Sequence, residues 1–183
     1  MTEALRIRLG ALRAHLAARP DTEHEQAIVR MVLGAVIVAY LLPDALSDGV
    51  ISLFDADLAV LTGYLLAAVA VFASILASPG VSHARRLVTL AIDIGTLTWC
   101  MAHFGERAAP LVLLYVWLTL ANGFRFGPNY LLFALGLSIA GFGGVLAVSE
   151  FWRAHLGVGV GMMIGLVALS LYVRTLVKQL FDA

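Results

Sequence analysis

The sequence predicts an all-α membrane protein: a bundle of about six transmembrane helices preceded by an amphipathic interfacial helix. Three observations predict it. Of 183 residues, 13% are charged and 61% hydrophobic, whereas soluble domains carry about 25% charged residues. Apolar runs of bilayer-crossing length recur from end to end. The breaks between them hold turn residues. Each span is expected to be a helix, because an open sheet edge leaves backbone groups unsatisfied in lipid.

Residues 1–20 come first. Leu5, Leu9, Leu12 and Leu16 share one helical stripe, and Arg6, Arg8, Arg13 and Arg19 add positive charge. Such a helix lies in the lipid interface with its cations on anionic headgroups. In "PDTEHEQAIVR", Asp21 or Thr22 can cap the next helix, with Glu23 and Glu25 in its first turn. Apolar segments then cover about 27–42, 57–78, 87–104, 109–123, 130–149 and 157–177. They are separated by "PDALSDG", "SPGVSHARR", "FGERAAP", "NGFRFGPN" and "EFWRAH". The domain plan is an amphipathic helix (1–20), a transmembrane bundle (21–177) and the start of a cytoplasmic signalling helix (178–183).

With the N-terminus inside, Arg6, Arg8, Arg13, Arg19, Arg30, Arg85, Arg86, Arg125, Arg174 and Lys178 are cytoplasmic or near that interface. Only Arg107 and Arg153 lie outside. This bias predicts that both termini are cytoplasmic. The net charge of zero gives no reason to expect a nucleic-acid partner. A single cysteine, Cys100, excludes an intrachain disulfide. No cleavable signal peptide is expected at the start, because charge is scattered through it.

No nucleophile–base pair, phosphate loop or metal quartet is evident, so no catalytic residue and no cofactor are expected. His24 lies between Glu23 and Glu25, but adjacent helical residues point to different faces, so no metal site is expected there. Asp93 stands out inside the third span, where an ionised carboxylate costs about 3 kcal/mol or more unless paired. Arg30 and Arg125 lie near the same depth. Asp93 is then either a structural anchor between helices or half of a switchable pair at a ligand pocket. Gly157, Gly161 and Gly165 form a small-residue stripe suited to close helix packing. In the last span Leu169, Val173, Leu176 and Leu180 continue a 3-4 spacing beside Arg174 and Lys178, a candidate coiled-coil seam for signal transmission.

Two stretches carry a resemblance: "DTEHEQAIVRMVLGAVIVAYL" and "YVWLTLANGFRFGPNYLLFALGLSIAGFGGVL". Together they resemble the N-terminal membrane input region of RpfC-type sensor histidine kinases. Those are bacterial quorum-sensing receptors for diffusible signal factors, which are cis-2-unsaturated fatty acids. The resemblance spans roughly residues 20–180. It implies an inner-membrane sensor, a homodimer, that binds a fatty-acid signal within the lipid bilayer and acts on a cytoplasmic kinase domain. The kinase and phosphoacceptor domains of such receptors are not in this sequence, which implies an input module without enzymatic activity. Five spans are commonly described for the family, against the six expected here. For the ligand's polar end the expected residues are Arg125, Asn122, Arg30 and Asp93, with Glu23 and His24 nearby. Arginine is a good carboxylate clamp. Two rival readings stand beside this one: a small transporter with Asp93 as its coupling group, and a plain membrane anchor for a cytoplasmic domain.

Overall fold

A computed structural model describes residues 23–45, 56–78 and 80–182. The expected interfacial helix over 1–20, the Asp21 or Thr22 cap and the His24 side chain lie outside the described residues. All regular structure among the described residues is helical.

Helix α1 runs Glu23–Ala45, α2 Ala56–Ala77 and α3 His83–His103. A short α4 (Gly105–Ala108) and a 3-10 turn (Ala109–Val112) lead into α5 (Leu113–Phe126). Then follow α6 (Pro128–Val148), the short α7 (Glu150–Ala154) and α8 (Leu156–Asp182). Helix α1 packs on α2, α2 on α3, and α3 on α6 and α5, while α8 closes the bundle against α5 and α6. The core between α3, α5, α6 and α8 is built on Leu90, Ile94, Met101, Tyr115, Phe142 and Leu166.

Five helical stretches are long and apolar enough to cross a membrane: 25–43, 56–77, 105–126, 128–148 and 156–182. The chain is therefore a multi-pass helical bundle with a membrane-protein surface. The expected third span, α3, is a 21-residue helix, about 31 Å long, yet it falls short on apolarity. Arg85, Arg86, Asp93 and two terminal histidines dilute it. It nevertheless runs the length of the bundle. At one end Arg85 and Arg86 reach Glu23 at the start of α1. At the other, Trp99 Nε1 donates to Asp57 Oδ1 at the start of α2 (2.9 Å).

One expected break differs from the structure. The segment "NGFRFGPN" is not an eight-residue turn: α5 continues to Phe126 and α6 starts at Pro128, so only Gly127 is non-helical. Asn122 stays helical because its Nδ2 donates to the Leu118 carbonyl one turn back (2.8 Å). Gly127 sits at φ 101°, ψ 177°, a region open essentially to glycine alone, and Pro128 begins α6 without needing an amide hydrogen. The last span runs on past 177 to Asp182 as one helix, in line with the signalling helix expected from 178. Helix α8 is thus about 40 Å long, longer than a bilayer's hydrocarbon core of about 30 Å.

The glycine stripe on α8 faces outward. A Cβ at Gly157, Gly161 or Gly165 would meet nothing within 4 Å. The bundle-facing residues of α8 are Gly159, Leu166, Ser170, Val173 and Val177.

Candidate functional site

The polar centre of the bundle joins three helices. From α1, Arg30 Nε donates to both carboxylate oxygens of Asp93 (2.8 and 2.9 Å), and Nη2 donates to Oδ2 (2.7 Å). Both side chains are buried, at 8% and 5% exposure. Two opposite charges taken out of water are tolerated only with such geometry and further hydrogen bonds. Tyr64 of α2 supplies one, its hydroxyl donating to Asp93 Oδ1 (3.2 Å). The ring reaches that position across Gly34, where a Cβ would stand 2.5 Å from Tyr64 Cε1. Asp93 therefore pairs with Arg30 rather than with Arg125.

Beside this triad lies a cavity of about 240 Å³ between α1, α2, α3 and α5. Most of its wall is apolar, including Leu33, Ile37, Leu61, Leu97, Leu114 and Trp117. Its polar residues include Gln26, Arg30, Tyr64, Asp93, Asn122 and Arg125. Gln26 Nε2 donates to Asn122 Oδ1 (3.2 Å), which ties α1 to α5. Arg125 stands at the rim, with Nη1 3.7 Å from Glu25 Oε2, both side chains partly exposed. Ligand pockets commonly measure about 300–1,000 Å³; this smaller space suits a slender chain. Its polar residues Arg125 and Gln26 stand toward one end, and apolar side chains line most of the rest.

Of the residues expected from sequence, Arg125, Asn122, Arg30 and Asp93 meet in this one cavity. Glu23 does not line it. It is buried at 4% exposure and holds both arginines at the start of α3: Arg86 Nε donates to Oε1 (2.5 Å), and Arg85 Nε (3.1 Å) and Nη2 donate to Oε2. Burial alone would push the Glu23 carboxyl up, but the hydrogen bonds and charges of Arg85 and Arg86 outweigh it and hold it below the usual carboxylate range. Arg86 also lies over the Phe126 ring, 4.1 Å from its centroid, a cation–π contact that links α3 to the α5–α6 joint. Sequence reasoning missed Arg85, Arg86, Gln26 and Tyr64 as parts of the site. A lone phenol within an apolar span was the available signal for Tyr64. Among the described residues no cluster of metal-ligating side chains occurs.

The expected transmission seam on α8 divides. Val173 is buried in the bundle with Leu131 and Val177, whereas Leu169, Leu176 and Leu180 are exposed at 43%, 44% and 65%.

Fold and site define a class: a helical membrane bundle holding a slender apolar pocket with charged groups at its polar end. The chain is related to the RpfC-type sensory/regulatory proteins. It is 31% identical over 175 residues to the sensory/regulatory protein RpfC of Xanthomonas campestris pv. campestris, in strains ATCC 33913 and 8004 alike. The match covers 94% of this chain and 24% of each relative, so the chain spans about a quarter of their length. No protein-family model matches the chain, and no solved structure matches it.

Proposed function

We propose that this chain is the membrane input module of a bacterial RpfC-type receptor of the inner membrane. It binds a medium-chain cis-2-unsaturated fatty acid and passes the signal to a cytoplasmic histidine kinase domain, acting as a homodimer with both termini in the cytoplasm. One observation carries the reading. The two stretches that resemble such receptors, far apart in sequence, converge on one cavity: Gln26 and Arg30 come from the first, Asn122 and Arg125 from the second.

Arg30 is already committed to Asp93, so the head group belongs at Arg125 on the rim. The tail supplies affinity at about 0.8 kcal/mol per buried methylene. A ligand shifts a receptor only by binding one of its states better than another. The route out runs from Asn122 and Arg125 on α5 into α8, where Leu120, Leu131, Val173 and Val177 pack together.

The test is saturation binding of cis-2-dodecenoic acid and its methyl ester to the protein in nanodiscs. A charge-assisted hydrogen bond contributes about 1.5–3 kcal/mol. The ester and the Arg125→Ala variant should therefore each bind about 10- to 100-fold more weakly than acid on the native chain. Equal affinity for acid and ester would remove the clamp, and absence of saturable binding would remove the ligand.

A further inference from the structure

We infer that the acid reaches the cavity sideways from the bilayer, through the seam between α1 and α5; the inference rests on the binding reading above. Helix α1 packs along α2, while α1 and α5 are not among the closely packed helix pairs. What ties α1 to α5 includes the Gln26–Asn122 hydrogen bond and the Glu25–Arg125 pair, both near the α1 N-terminus. Further along α1 the seam widens into an open groove of about 470 Å³, lined only by aliphatic side chains of α1 and by Leu114 and Trp117 of α5. Val29, Leu33, Leu114 and Trp117 line both this groove and the cavity, so the two spaces share one wall. That wall is the doorway.

Its chemistry selects the traveller. The groove's lining residues are all apolar, so an ion or a polar solute crossing there would lose its hydration with nothing in return. An acyl chain loses nothing, because lipid and groove are equally apolar. The outer lip, Val32 and Val36, lines the groove but not the cavity, and is 61% and 60% exposed. The occupant is therefore a single-chain carboxylate amphiphile dissolved in the membrane. Its tail slips between Val29 and Leu33 on one side and Leu114 and Trp117 on the other, while its head exchanges with Glu25 at Arg125. A phospholipid offers the same acyl chemistry, and the experiment separates the two.

Val32→Trp and Val36→Trp fill the groove without adding bulk to the cavity lining. In nanodiscs, association and release of cis-2-dodecenoic acid should both slow about fivefold or more in these variants, with Kd within about twofold of the native chain. Unchanged rates at an unchanged Kd would overturn the lateral route and leave the binding reading standing. A weaker Kd at an unchanged association rate would place the ligand in the groove itself and overturn the doorway. Failure of the native chain to bind the acid would sink the binding reading instead. Mass spectrometry of the particles supplies the last arm: a phospholipid that stays seated against excess acid would overturn the proposal, and its displacement by the acid supports it.

Discussion

The Phe181 ring, near the end of α8, lies against Gly127, the single joint between α5 and α6. A Cβ on Gly127 would stand 3.5 Å from Phe181 Cε1. The hairpin that carries Asn122 and Arg125 thus touches the far end of the longest helix. The joint requires glycine, because φ of 101° with ψ of 177° is a region that side chains disfavour. Gly127→Ala should cost about 1–3 kcal/mol, read as a lower melting temperature in nanodiscs. Phe181→Ala, at a position 51% exposed, should stay within about 0.5 kcal/mol of the native chain. A neutral Gly127→Ala would show that the joint relaxes freely.

Removing one member of the Arg30–Asp93 pair strands the other charge. Arg30→Met or Asp93→Leu alone should destabilise the bundle by about 3–5 kcal/mol. The double variant should recover most of that loss, since neither charge is then left buried. A double-mutant cycle by thermal or denaturant unfolding measures this, and simple additivity of the two single losses would refute the coupling.

Acid should loosen the α1–α3 clamp. The Glu23 carboxyl is held below its ordinary value of 4.5 in the folded chain, so the folded state favours its ionised form. That stabilisation is fully present above pH 4.5 and is lost as pH falls through the lowered folded value. Melting temperature should therefore hold from pH 7 to about pH 5 and drop below about pH 4.5. Glu23→Gln should start lower and show a shallower acid-side drop. An equally steep drop in that variant would assign the acid sensitivity elsewhere.

Both termini should report from the cytoplasm. Among the described residues α3 reaches from Glu23 to Asp57, and its crossing together with the five apolar stretches would return the chain to its starting side. Arg85, Arg86 and Arg125 gather at the end where α1 starts and α8 finishes, and positive charge favours the cytoplasmic side. Reporter fusions ahead of Thr2 and after Ala183 should both be active on that side. An external report from either terminus would refute the six-crossing arrangement.

Helix positions were legible because apolar runs and breaks are local signals. The α2, α5 and α6 spans came within a few residues of their observed limits. The start of α3 was harder, because charged or polar residues at a helix end resemble a loop when only composition is read. Arg85 and Arg86 looked like topology markers; their role against Glu23 depends on a contact 62 and 63 residues away. The Arg30–Asp93 pairing was half legible, since a charge inside a span demands a partner but does not choose between two arginines. Gly157, Gly161 and Gly165 were read as a packing face, yet spacing alone does not say which neighbour a helix face meets.

The distance in sequence between Arg30 and Asp93 bears on how the chain is made. Arg30 emerges from the ribosome 63 residues ahead of its counter-charge, an interval of about 3–13 s at translation rates of about 5–20 residues per second. During that interval α1 carries an uncompensated cation into the insertion machinery. Its two neighbours in the triad arrive in order, Tyr64 first and Asp93 last. An unpaired arginine at the centre of a span is disfavoured by about 2.5–3.5 kcal/mol, so Asp93 stabilises α1 at its final depth only once α3 has been made.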